Sequence, residues 1–327
     1  MAVTDKMPLK KEVLMNRISP FVLCLFLLFT EQMFGKVRIL TFHYNQADFI
    51  ELQHRCLKRF MLDDYELIVF NDAATLENEK AIEETCKKLG VQCVRFEQKW
   101  HLTDPLNEEI KKWVADPTLL DPSILGIPSE KVPYQPSVRH CHVIQYALDN
   151  YGYNHDDIVA IMDGDAFFIR DISLKQKLEE FDIMGMTRDY KKVYTSYLWV
   201  PFIAFNPTKL PNLKDLKFNV AVIDRAVHDS GAQTYHYLAA NPSVKCKKTF
   251  PVPTHRLRHS SEKELKQAHY NGKERWLIKN LPKHTSVELD IESCIVHFRG
   301  VSFEFEDHPK KMKCLTEFMD KIFKAKR

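Results

Sequence analysis

Ile158-Val-Ala-Ile-Met-Asp-Gly-Asp165 is the stretch whose reading decides the fold. Its five leading apolar residues fit a strand covered on both faces, as in the middle of a parallel sheet. Asp163 and Asp165 follow at spacing i, i+2, and in extended chain such residues point the same way. Both carboxylates therefore face one site at the carboxyl end of the strand, where ligands bind in open α/β sheets. Two oxygen ligands of this kind suit Mg²⁺ or Mn²⁺, with a substrate diphosphate and water completing the shell. Gly164 keeps the turn between them small. A calcium loop fits less well, because Ala166-Phe-Phe-Ile169 follows where such a loop needs further oxygen ligands and a glycine.

Upstream the pattern is alternating. Lys36-Val-Arg-Ile-Leu-Thr-Phe-His43 reads as a strand, and 48–60 as an amphipathic helix with Phe49, Leu52, Cys56, Leu57 and Phe60 at helical spacing. A second strand spans 65–70, a charged helix runs over 75–89 to a stop at Gly90, and a third strand covers 91–96. Strand, helix, strand, helix, strand predicts a parallel α/β sheet. The proline-bearing segment 97–136 reads as an irregular excursion at the sheet edge. Ser137 is expected to cap a helix that turns Val143, Ile144, Ala147, Leu148 and Tyr151 inward and leaves Arg139, His142 and Tyr146 on another side. Downstream the order is mixed, with strands expected at 183–186, 193–198, 202–205 and 294–298 and helices at 174–181, 232–240 and 309–324. The fold class is α/β, with a mixed, mainly parallel central sheet flanked by helices, in a single domain over 36–327.

Composition removes whole functional classes. The 327 residues include only 9 glycines, and no two lie closer than twelve positions. A dinucleotide-binding GxGxxG turn, a Walker loop, a kinase glycine loop and a GxSxG elbow each need two within a few residues, so none exists here. A phosphate-bearing ligand must have its charge met another way, for which a metal ion is the candidate. With 47 Lys plus Arg against 44 Asp plus Glu, the net charge of +3 argues for no nucleic-acid partner. Eight cysteines without a CxxC pair exclude zinc ribbons and read mainly as small buried hydrophobes, one or two disulfides remaining open. At the N-terminus, Lys6, Lys10, Lys11 and Arg17 precede the apolar run 18–29, which reads as a signal peptide or uncleaved signal anchor within 1–35. That reading implies a secretory route or membrane association through the N-terminal segment.

Four places resemble the GT-A-fold glycosyltransferases, which use nucleotide-sugar donors: Ile39-Leu-Thr-Phe-His-Tyr-Asn45, Ile161-Met-Asp-Gly-Asp-Ala-Phe167, Asp229-Ser-Gly-Ala-Gln233 and Ile295-Val-His-Phe-Arg-Gly300. The second is similar to the DxD strand of that family and the fourth to its late metal-binding histidine. The resemblance implies that Asp165 binds the metal directly, that Asp163 contacts metal, metal-bound water or ribose, and that His297 is the third protein ligand. It implies a nucleotide-binding half over 36–165, with Thr41 and Asp72 framing the nucleoside and Arg139 reaching the diphosphate or orienting Asp163. The half over 166–327 would then complete the metal site and take the acceptor. Val301-Ser-Phe-Glu-Phe305 departs from the Lys-Pro-Trp that follows HxxG in the glycogenin-like retaining enzymes.

The implied activity is transfer of a sugar from a nucleoside-diphosphate sugar, a UDP-sugar in the first instance, to a glycan, lipid or protein hydroxyl, with Mn²⁺ or Mg²⁺. If configuration inverts, a carboxylate must deprotonate the acceptor, and Asp229 is the candidate base. Capping of the following helix is its alternative role. The aromatic stretch 194–199 reads as a sugar pocket or as core, and His255-Arg-Leu-Arg-His259 as a phosphate clamp or a solvated basic loop. The rival activities are a nucleotidyltransferase of related fold, which usually carries a glycine-rich loop absent from Phe42-His-Tyr-Asn-Gln46, and a non-catalytic binding protein on a degenerate transferase fold.

Overall fold

The computed structural model describes residues 35–116, 118–119, 129–190, 195–281, 287–299 and 308–324. The proposed leader therefore lies outside the described residues, as do Tyr194, Gly300 and 301–305. No described helix is long and apolar enough to cross a membrane.

Seven strands form the central sheet. Strand β1 (Val37–His43), helix α1 (Asp48–Phe60), β2 (Tyr65–Asn71), α2 (Leu76–Leu89) and β3 (Gln92–Arg95) follow one another as the alternating pattern predicts. Thr75 caps α2 through Asn78 N, and Gly90 closes it in the left-handed conformation that glycine adopts without strain. The strand β4 (Val159–Asp163) lies between β1, to which it is parallel, and the antiparallel β7 (Thr195–Phe205). Ile158 to Met162 are almost fully buried, as a strand covered on both faces requires. With β6 (Ile183–Tyr190) and β10 (Cys246–Thr249) the order across the sheet is β10-β6-β7-β4-β1-β2-β3, four pairings being parallel and two antiparallel. The sheet is thus mixed and mainly parallel, as expected.

A second, four-stranded sheet joins β5 (Ala166–Phe168), β11 (Val252–Pro253), β12 (Glu288–Asp290) and β13 (Ile295–His297), with β13 antiparallel to both β5 and β12. Strands β8 (Ala221–Ile223) and β9 (Ala226–His228) form a separate antiparallel pair, helices α8 (Thr254–Leu257), α9 (Glu262–Gln267) and α10 (Gly272–Asn280) precede β12, and helix α11 (His308–Lys324) closes the described chain, burying Leu315, Phe318, Met319 and Ile322.

Several local expectations need correction. The described parts of 97–136 are not irregular: they hold α3 (Gln98–Thr103), α4 (Leu106–Val114) and a 3₁₀ turn at Ser129–Tyr134. Pro105 sits at the N-cap of α4, where its missing N–H costs no helical hydrogen bond, so it starts a helix rather than breaking one. Helix α5 (Pro136–Ala147) is capped by Gln135, not Ser137, with Pro136 in its first turn. The side bearing Arg139 and His142 is buried as well, because α3 packs against it.

The expected strands 193–198 and 202–205 are one strand, β7. Its register with β6 slips between Gly185 and Thr187, and Pro201 has no partner in the register with either neighbouring strand. There its lack of an N–H breaks no ladder. The helix expected over 174–181 is a single turn, α6 (Leu174–Lys177), capped by Ser173. All seven described cysteines are free, five of them buried, in line with the hydrophobic reading.

Candidate functional site

Parallel pairing lines up the carboxyl ends of three strands. Phe42 pairs with Asp163 across β1 and β4, and His43 pairs with Asn71 across β1 and β2. His43, Gly164 and Asp72 therefore stand along one sheet edge, with Asp72 N donating to His43 O at 3.0 Å. They line a cavity of about 260 Å³ together with Arg139, His140 and Trp199. A Cβ on Gly164 would lie 2.5 Å from Phe42 O and 2.8 Å from His43 Nδ1, so the turn between the two aspartates fits only because that residue has no side chain.

Asp165 and His297 come together through β-pairing in the second sheet. Ala166 pairs with His297 and Phe298 N donates to Asp165 O at 2.9 Å, which sets the imidazole beside the carboxylate. His297 Nε2 is 3.3 Å from Asp165 Oδ1 and 4.0 Å from Asp163 Oδ2. Ligand atoms of Asp163, Asp165 and His297 all lie within 4.8 Å of one another, the spread a single cation can bridge. Glu288, directly across the β12–β13 ladder, holds the other face of the ring through Nδ1 at 3.2 Å. A carboxylate on the far nitrogen is the usual way to fix a metal-ligating imidazole.

Three carboxylates and two imidazoles meet at this corner. Burial opposes a charge on His297, yet Asp165 and Glu288 outweigh it and push its pKa up to about 10. Burial likewise opposes ionisation of Asp163, but His140 and His297 hold its carboxyl below the usual range. His140 Nε2 stands 3.0 Å from Asp163 Oδ1. The approach is out of line for a hydrogen bond, so Oδ1 is buried without a donor among the described residues. An orphaned buried carboxylate oxygen, a second carboxylate and an oriented imidazole make the donor set a divalent cation satisfies. The metal triad expected from sequence is brought together here.

The other expected residues fall into different roles. Asp72 is buried and held through one oxygen: Oδ1 is 2.5 Å from His101 Nε2 and 3.1 Å from Arg139 Nη2. Arg139 also donates to Gln98 Oε1 at 3.2 Å and lies 4.7 Å over the Tyr44 ring. It thus orients Asp72, and the group beside Asp163 is His140 instead. Thr41 does not line the cavity; its hydroxyl donates to Gln53 Oε1 at 2.8 Å. Gln53 Nε2 in turn donates to the carbonyls of Asp163 and Ala166 at 2.9 and 3.0 Å, so Thr41 braces the Asp-Gly-Asp turn from behind.

Asp229 lines the cavity, pairs with Arg188 and accepts from Ser230 N at 2.8 Å. It does not cap α7 (Gln233–Ala240), whose N-cap is Ala232. Gly231, at φ +91°, packs so closely on the Leu198 carbonyl that no side chain fits. His140, Glu288, Arg188 and Gln53 escaped the sequence reading. His140 had a local signal, being one residue from Arg139 on the same helix, whereas Glu288 had none.

No family model and no curated protein matches the chain. Among solved structures it is similar to the mannosyltransferase PcManGT from Pyrobaculum calidifontis, in complex with GDP-Man and Mn²⁺. Identity is 14%, the match covers 65% of this chain and 54% of that one, and the TM-score is 0.36. It is also similar to glucosyl-3-phosphoglycerate synthase from Mycobacterium tuberculosis. With phosphoglyceric acid bound, identity is 12%, coverage 68% and 71%, and TM-score 0.35. With UDP bound the corresponding values are 11%, 67% and 72%, and 0.34. The match spans about half the length of the mannosyltransferase.

Proposed function

We propose that this protein is a metal-dependent glycosyltransferase that moves a sugar from a nucleoside-diphosphate sugar, foremost a UDP-sugar, to a hydroxyl acceptor. The observation that carries the proposal is the acidic corner of Asp163 and Asp165 with His297, left with an orphaned carboxylate oxygen and opening into a cavity walled by Asp72 and Arg139.

Asp163, Asp165 and His297 would hold Mn²⁺ or Mg²⁺, which when bound supplies Lewis acidity toward a leaving diphosphate. Gln53 and Gly164 keep the turn that presents both carboxylates in one place. Glu288 fixes the His297 ring and favours its Nε2 as the ligand atom. Asp72, immobilised by Arg139 and His101, offers a rigid acceptor for a nucleoside N–H or hydroxyl at the neighbouring strand end. Asp229 would take the acceptor proton in an inverting transfer, with Arg188 holding its carboxylate in the cavity. The chain from 36 to 165 would supply the donor side, and 166 to 327 the third metal ligand and the acceptor side. The apolar leader would place the protein on the secretory route or at a membrane.

Calorimetry with Mn²⁺ and UDP, followed by donor hydrolysis across a panel of nucleotide sugars, tests the assignment. UDP should bind in the presence of Mn²⁺ and not without it. Asp165→Asn should fold and lose both binding and turnover, and undiminished metal-dependent hydrolysis by that variant would sink the assignment.

A further inference from the structure

A second cavity, of about 430 Å³, lies against the first. The two share Trp199 and Arg299 in their lining, so they adjoin at these residues. The wall is built from charged and aromatic groups in contact. The Arg188 guanidinium lies 4.8 Å over the Trp199 ring and that of Arg299 5.5 Å from it, while His297 meets the ring edge-on at 5.1 Å. Arg188 faces the second cavity and pairs with Asp229, which faces the first. The same wall thus carries a metal-site histidine, the candidate base and the lining of both chambers.

The charge of the second cavity is distinctive. Arg188, Arg256 and Arg299 line it with His255, against one carboxylate, Glu288. Glu288 is already engaged by His297 Nδ1. Arg256 is exposed and pairs with no carboxylate among the described residues. Phe250, 56% exposed, stands at the rim as an apolar surface opposite the guanidinium groups. Planar guanidinium donors around a pocket recognise carboxylate and phosphate oxygens with two-point geometry. An aromatic wall beside them suits the apolar face of a sugar ring. The basic stretch His255-Arg-Leu-Arg-His259, ambiguous in the sequence, brings its first two residues to this cavity.

We infer that the second cavity is the acceptor site and that it selects an acceptor bearing an anionic group, phosphate or carboxylate, near the hydroxyl that is glycosylated. This rests on the transferase reading above. The anion sits among Arg188, Arg256 and Arg299, and the acceptor hydroxyl points past Trp199 toward Asp229. Transfer makes one bond, from the acceptor oxygen to the donor's anomeric carbon, and breaks the bond from that carbon to the diphosphate. The acceptor proton goes to Asp229, and the nucleoside diphosphate leaves with the electron pair.

The full chain is titrated first with Mn²⁺ and UDP, and then with glucose 6-phosphate, glucuronate or glucose as probes. At least one anionic probe should bind tenfold or more tightly than glucose, and Arg256→Gln should lose most of that margin. A lead of glucose 6-phosphate over glucuronate identifies a phosphate-bearing acceptor, and the reverse a carboxylate-bearing one. Equal binding of all three probes, or an anion preference untouched by Arg256→Gln, overturns the inference. Failure of UDP to bind with Mn²⁺ overturns the transferase reading instead, and the anion preference is measured independently of it.

Discussion

Two acidic centres stand along the same sheet edge, and they are finished differently. At the end of β2, Asp72 Oδ1 meets both Arg139 and His101, all three side chains being buried. At the end of β4, Asp163 and Asp165 share the His297 imidazole, whose second nitrogen is claimed by a third carboxylate, and Asp163 Oδ1 faces His140 without an aligned hydrogen bond. The first centre is compensated from within and so is rigid before any ligand arrives. Under the proposed function the first would be a fixed post for the organic part of the donor, and the second the corner where a metal meets the phosphates.

The sharpest way to break that contrast is to remove charge from the open corner. Asp165→Asn should lower Mn²⁺-dependent turnover by about a thousandfold or more, because one direct ligand and one unit of charge disappear together. Thermal unfolding without metal should shift modestly downward, since His297 loses the carboxylate that does most to hold its charge. Unchanged Mn²⁺-dependent turnover would show that Asp165 is not a ligand.

At the compensated centre the larger effect is on stability instead. Asp72→Asn leaves Arg139 buried without its counter-ion and should cost about 3–5 kcal/mol of stability, read by chemical denaturation with or without Mn²⁺.

Glu288→Gln tests the support behind the metal corner. Its cross-strand contact orients His297, so metal affinity, measured by titration, should fall about 10- to 100-fold with the fold retained.

The smallest effect belongs to His142, near the compensated centre. Burial, against the pull of Asp104, pushes its pKa down to about 4 from an ordinary value of 6.5. Between those values the unfolded chain binds a proton that the folded chain refuses. Stability should therefore fall as pH drops from 6.5 toward 4, with a slope of at most about 1.4 kcal/mol per pH unit from this group. His142→Gln should flatten that part of the curve in pH-dependent unfolding.

Sequence reached the elements whose physics is local. Strand polarity at Ile158 to Met162, the stop at Gly90 and the amphipathic faces of α1 and α11 all follow from spacing within a few residues. It failed where packing overrode local signals. Prolines between 97 and 136 read as loop, but Pro105 and Pro136 each sit in helix first positions that tolerate them. Arg139 and His142 read as a polar side, but α3 covers them and turns the polarity into a buried network.

The sequence by itself determined that two carboxylates stand together at the end of a buried strand, because only the one-residue Gly164 turn separates them in the chain, and that no glycine-rich phosphate loop exists. Only the tertiary structure decided what surrounds them. Pairing of β13 with β5 carries His297 across more than 130 residues to Asp165, and pairing with β12 sets Glu288 behind it. Helix α5 delivers His140 to Asp163 and Arg139 to Asp72, although the two are neighbours in sequence. Those choices depend on which strands lie side by side, a property of the whole sheet that no local spacing encodes.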